Sequence, residues 1–151
     1  MGRKPRIHYP GAFYHCLNRG NQRQSIFLSD EDYRFFLDML ASVRQKFGVR
    51  WHGYCLMPNH FHLLVEVAET PLSTIMRSVE TAFALRFNFL YRKQGHVFQG
   101  RYRSVLCEKR SYLLELIRYI HLNPVRAHLV DQARQPNWPF FFTVAPKRSL
   151  I

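Results

Sequence analysis

The sequence predicts an α+β fold, an antiparallel four-stranded sheet with helices packed mainly on one of its faces. Three observations predict it. Residues 60–67 (HFHLLVEV) alternate, with Phe61, Leu63, Val65 and Val67 on one face and His60, His62, Leu64 and Glu66 on the other, the period of a half-buried strand. Two longer segments repeat their apolar residues at helical spacing instead: Tyr33, Phe36, Leu37, Leu40 and Val43 in the first, and Leu72, Ile75, Met76, Val79, Phe83 and Phe87 in the second. The segments also follow one another in the order β-α-β-β-α-β-α, which suits an antiparallel sheet better than a parallel one.

Taken in order, residues 11–18 (GAFYHCLN) read as the first strand, followed by a loop rich in Gly, Asn and Arg. Asp30 is placed to cap a helix that runs to Phe47, and Gly48 ends it. Residues 49–57 form the second strand, which Pro58 and Asn59 turn into the third. A helix occupies 71–92, Gly95 interrupts, and residues 98–108 (FQGRYRSVLCE) form the fourth strand. The last helix runs from Ser111 to about Leu122, where Asn123-Pro124 breaks it, because a residue before proline avoids the α region. This order matches a ferredoxin-like arrangement, whose central strands bring His60 and His62 near the last helix. No repeat, low-complexity segment or linker divides the chain. The expectation is one domain over residues 1–151, with a basic arm at 1–10 and an atypical tail at 131–151, where Trp138 and Phe140 to Phe142 offer apolar surface to the sheet.

With 47% hydrophobic and 15% aromatic residues in 151, the chain has material for a substantial core. No stretch approaches the ~20 apolar residues of a membrane span, and the first fifteen residues lack the apolar region of a signal peptide. A cytoplasmic, nucleoid-associated protein is the expectation, and Cys16, Cys55 and Cys107, far apart and without a Cys-x-x-Cys, read as reduced core thiols. The charge is more informative. Lys plus Arg number 22 against 10 Asp plus Glu, a net +12, which points to a polyanion such as DNA or RNA. Arg outnumbers Lys 17 to 5, as suits contacts to phosphate and guanine edges. The excess is placed on the N-terminal arm (Arg3, Lys4, Arg6), on NRGNQRQ (Arg19, Arg23) and on GRYRS (Arg101, Arg103), while residues 51–100 are nearly balanced.

His60 and His62 project from one side of a strand, so two imidazoles there can hold one metal ion and leave its other positions open. Alone the pair is weak, since eight histidines in a chain of this length give an H-x-H by chance about 0.4 times. The last helix adds to it. Tyr112, Leu116, Tyr119 and Asn123 lie along one stripe, and Asn123 is one turn beyond Tyr119. For Tyr112 a place in the core or at its rim is the simpler reading. The Asn123 amide oxygen can complete a ligand set, and the Tyr119 phenol can attack a phosphate that a metal polarises. A phenol of pKa ~10 needs help to lose its proton at neutral pH. Glu66 and Glu115 are the candidate bases, although a solvated or ion-paired role suits each of them better.

Four segments in register, YPGAFYHCLNRGNQRQSIF, CLMPNHFHLLVE, GHVFQGRYRS and YLLELIRYIHLNPVRAHLV, resemble the REP-associated tyrosine transposases. These are relatives of the insertion-sequence transposases within the single-tyrosine HUH (His-hydrophobic-His) superfamily. The resemblance runs from about residue 8 to 130. It implies that His60-Phe61-His62 is the HUH motif, that Tyr119 is the nucleophile, and that Asn123 occupies the third metal-ligand position, a glutamine in the insertion-sequence branch. It further implies cleavage of single-stranded DNA beside a palindromic hairpin, through a 5′-phosphotyrosine link and a free 3′-hydroxyl, with Mg²⁺ or Mn²⁺ as cofactor. Basic arms and loops, among them Arg3, Lys4, Arg6, Arg19, Arg23, Arg101 and Arg103, would grip the hairpin. Both a monomer and a homodimer are compatible with the resemblance. Beyond residue 130 the tail QPNWPFFFTVAPKRSLI departs from the family's usual Trp-Ser-Ser-Tyr type segment. Two rivals remain: a hairpin-DNA-binding regulator that has lost cleavage, and a metal-dependent nuclease that uses water while Tyr119 only positions DNA.

Overall fold

The computed structural model describes residues 5–108, 115, 116, 118 and 119, and the backbone of 141–143. Within them the chain folds as β1 (Phe13–Arg19), α1 (Asp30–Phe47), β2 (Arg50–Met57), β3 (His60–Glu66), α2 (Leu72–Tyr91), β4 (Arg103–Leu106) and β5 (Phe141–Thr143). The sheet is antiparallel throughout, in the order β4-β1-β3-β2-β5. Strands β1 to β4 alone give the ferredoxin-like order with β1 and β3 central.

The alternation of β3 decides what lies on each face. Phe61, Leu63 and Val65 are fully buried on the side covered by α1 and α2, in one core with Phe36, Ile75, Met76, Val79, Phe83 and Phe87. Each such side chain removed from water contributes about 1.5–3 kcal/mol. The opposite face carries a smaller cluster of Cys55, Met57, Leu64, Cys107 and Leu116, with Phe13 against it. Leu116 thus brings the helical backbone at residues 115, 116, 118 and 119 onto the face that holds the histidines.

Four details differ from the sequence reading. Ser29, with extended backbone, precedes α1 as its N-cap, and Asp30 is the first helical residue. The acid that matters there is Asp32. Its fully buried carboxylate accepts from the Leu28 and Ser29 amides at 2.8 and 3.2 Å, from Arg86 at 2.8 Å and from the Tyr91 hydroxyl at 2.6 Å, latching α1 to α2. The fourth strand is shorter than residues 98–108: Phe98 makes only an isolated bridge to Gly20, and the Gly100 carbonyl accepts from Asn18 Nδ2 at 3.0 Å. Finally, a fifth strand forms from the atypical tail, its backbone pairing with Gly53–Cys55 of β2. The cysteines are free and buried, as expected.

The Pro58–Asn59 turn is anchored from outside. The Pro58 carbonyl accepts from the Ile26 and Phe27 amides at 2.8 and 3.1 Å, and the Asn59 carbonyl from Gly20 at 2.8 Å. A Cβ at Gly20 would stand 2.2 Å from the Gln24 carbonyl oxygen, so only glycine lets this loop reach the turn before His60.

Candidate active site on the second face of the sheet

His60 opens β3 and His62 follows on the same side, the first half-buried and the second 5% exposed. Each has its Nδ1 engaged. The His60 Nδ1–H donates to the Asn59 side-chain oxygen at 2.7 Å, and His62 Nδ1 lies 3.0 Å from His15 Nε2, a buried imidazole on β1 stacked beside it. With Nδ1 so engaged, Nε2 is the nitrogen of each ring that can ligate a metal. Burial lowers the pKa of His60, and Arg19 adds to that effect. It lowers that of His62 to about 3, helped by the two neighbouring histidines, and that of His15 to about 4. The three rings are therefore neutral at physiological pH, the form that donates a lone pair to a metal.

The ring spacing suits an ion. An imidazole ligand holds its ring centre about 3.3 Å from a metal when the bond is about 2.1 Å. Two such rings then lie about 4.7 Å apart at a right angle and about 5.4 Å apart at a tetrahedral one. His60 and His62 have centroids 5.1 Å apart with planes at 84°. Among the described residues no group of three or more His, Cys, Asp or Glu is disposed to hold a metal. Cys55, cross-strand from His62, is not a thiolate, because burial pushes it up to about 12. Asn123, the expected third ligand, lies outside the described residues.

Tyr119 is brought to the same place. Its ring meets that of His62 at 5.8 Å between centroids, edge to face, and the residue is 42% exposed. A phenol beside the histidine pair and open to solvent can meet a large substrate. Of the candidate bases, Glu66 is bonded to His52 at 2.9 Å at the far end of β3, and Glu115 is exposed.

The model of the IS200-like transposases matches residues 9–123, more than half of the chain. The chain belongs to the IS200-like transposase family. The family expected from the four motifs is thus the one found. The fold of this transposase-family chain is similar to that of a REP-associated tyrosine transposase bound to a REP hairpin, with a TM-score of 0.73 over 93% of this chain and 82% of the other, at 19% identity. It is also similar to a crystal structure of a candidate transposase from Deinococcus radiodurans R1, with a TM-score of 0.56 over 79% of this chain and 95% of the other, at 21% identity. Among curated proteins none is similar enough in sequence to match. No helix among the described residues is long and apolar enough to cross a membrane.

The basic residues of this transposase-family chain divide into two groups. Arg19, Arg101 and Arg103 line one cleft of about 320 Å³ together with Leu17, Asn18, Gln99 and Gly100. Arg19 pairs across the ladder with His60 and Leu17 with His62, so the cleft adjoins the histidines. Arg6 lines a neighbouring cavity that it shares with Arg101. It donates to the Tyr102 carbonyl at 3.0 Å and to the Ser104 hydroxyl at 3.1 Å, and lies over the Tyr102 ring, tying the arm to the β4 edge. Arg23 is exposed in the loop that anchors the β2–β3 turn. Arg3 and Lys4 lie outside the described residues, as does Tyr112. Sequence reasoning missed His15 and Asn59. Asn59 adjoins His60 in the chain, but His15 meets His62 only through the β1–β3 register, which a sequence without its partner strand does not reveal.

Proposed function

We propose that the chain is a metal-dependent enzyme that cleaves and rejoins single-stranded DNA beside palindromic hairpins, with Tyr119 as nucleophile. The observation that carries this is the Tyr119 ring set against His62, beside two imidazoles whose Nδ1 atoms are tied, so that Nε2 is the nitrogen each can offer an ion. Membership of a transposase family and the likeness to a hairpin-bound REP-associated transposase support it.

His60, His62 and Asn123 would hold the ion, Mg²⁺ or Mn²⁺. Bound there it supplies Lewis-acid polarisation of a phosphate oxygen and favours the phenolate. The Tyr119 oxygen attacks the phosphorus of a phosphodiester. The Oη–P bond forms as the P–O3′ bond breaks, the phenol gives up its proton, and the departing 3′-oxygen takes one. The products are a 5′-phosphotyrosine link and a free 3′-hydroxyl. Because the phosphoester energy is kept in that link, a second 3′-hydroxyl can reverse the step on another strand without ATP. Arg19, Arg101 and Arg103 grip backbone phosphates along the cleft that leads to the histidines, and Arg3, Lys4, Arg6 and Arg23 extend the basic surface.

The test is incubation with Mn²⁺ and a labelled single-stranded hairpin, followed by a denaturing gel. A covalent protein–DNA band is expected, lost in Tyr119→Phe while that variant still binds the hairpin. Cleavage that persists in the variant moves the assignment to a water-using nuclease. Binding without cleavage by the wild type under either metal moves it to a regulator.

A further inference from the structure

We infer that His15 is a positioning residue for the candidate metal centre, one that decides through a shared proton whether His62 is able to ligate. The inference rests on the metal reading above and adds a role for a residue outside the ligand set.

Only one proton fits between His62 Nδ1 and His15 Nε2 at 3.0 Å. Two protons would clash and none would leave two lone pairs facing each other. With both rings neutral, two arrangements remain. In the first, His62 donates from Nδ1 to His15 Nε2, and the lone pair of His62 Nε2 is free for a cation. In the second, His15 donates from Nε2 to His62 Nδ1, so that His62 carries its proton on Nε2 and is useless as a ligand. The state of His15 is therefore the state of the site.

The surroundings make this control strong. Both rings are 5% exposed, so water is a poor substitute for the missing partner. They stack with centroids 5.2 Å apart at 14°, which fixes the orientation of His62 as well as its tautomer. His15 stands on β1 opposite Leu64, diagonal to His62, in a ladder paired along its whole length, so the contact is built by the central strands and not by a loop. His60 shows the same design with a different partner, since Asn59 holds its Nδ1 by accepting a hydrogen bond. An amide oxygen only accepts, so His60 is locked as a ligand. An imidazole partner both accepts and donates, so His62 is adjustable. Outer partners of this kind are worth about 10–100-fold in metal affinity.

The experiment compares wild type with His15→Gln, which keeps an acceptor for His62 Nδ1–H, and His15→Leu, which keeps bulk and removes it. Mn²⁺ binding is measured without DNA by electron paramagnetic resonance. Expected is a loss of about 10–100-fold in His15→Leu and recovery to within about threefold of wild type in His15→Gln. Equal affinity in His15→Leu and wild type overturns the role, and so does equal loss in both variants. A second measurement needs no variant: two-bond ¹H–¹⁵N spectra of wild type saturated with diamagnetic Zn²⁺. His62 carrying its proton on Nδ1 supports the inference, whereas a proton retained on Nε2 overturns it. Failure of the metal reading looks different: His62→Ala then binds Mn²⁺ as well as wild type does.

Discussion

Glu80 offers a test of how burial governs this fold. Its carboxylate stands on α2, accepts from Asn18 Nδ2 at 2.7 Å, and lines a cavity of about 400 Å³ with Arg6, Arg77 and Arg101. None of these arginines forms an ion pair with it among the described residues. Burial raises its pKa from 4.5 to about 7, against smaller opposing effects of the Asn18 hydrogen bond and the Arg6 charge. A gap of that size corresponds to about 3 kcal/mol. Between pH 4.5 and 7 the folded carboxyl keeps a proton that the unfolded one releases, so this group's contribution to stability falls as pH rises through the window and is level above it. Glu80→Gln keeps an acceptor for Asn18 and removes the charge. Relative to wild type, the variant gains about 2–3 kcal/mol between pH 4.5 and 8, or about 1–1.5 M in urea midpoint at a typical slope of about 2 kcal/mol/M. Urea unfolding followed by circular dichroism across that range measures it. A stability difference that stays constant with pH refutes the account.

Two further predictions concern the latch and the basic cleft. Asp32→Ala strips the half-buried Arg86 and Tyr91 of their acceptor and costs about 2–3 kcal/mol in urea unfolding; a loss below about 1 kcal/mol shows that the network is dispensable. Replacing Arg19, Arg101 and Arg103 together by Ala weakens hairpin binding and lowers the slope of log affinity against log salt by about 2–3, read by fluorescence anisotropy; an unchanged slope removes the cleft from the DNA path.

How far the sequence carried these conclusions depends on whether a feature is local. The two faces of β3 were legible because strand periodicity is a property of consecutive residues, and the apolar spacing of α1 and α2 likewise. Tyr119 was legible from its spacing along a helix and is found against His62. Asp32 was not, because its partners Arg86 and Tyr91 are some sixty residues away on α2. The strand at Phe141–Thr143 was not, because three residues carry no periodicity and take their structure from the edge of β2. His15 shows the limit most sharply. Alternation places it on the face of Leu17 and Arg19, but only the cross-strand register puts it on His62.

That register has a consequence that solution measurements reach directly. His15 and His62 are buried side by side, where a charged ring would lose its hydration and face a second ring of the same sign. Burial is the main cause that lowers both, to about 4 and about 3, well below the usual 6.5. As pH falls from 6.5, the unfolded chain takes up protons that these folded rings refuse, so their contribution to stability is lost toward acid, by about 2 kcal/mol for each ring at pH 5. The sign is opposite to that of Glu80, so the two effects separate when Glu80→Gln is the background. In ¹H–¹³C spectra of metal-free protein neither ring titrates above pH 5. A midpoint near 6.5 for either ring means that water reaches the pair. Water there would supply protons from outside, and the one-proton link between His15 and His62 would no longer hold.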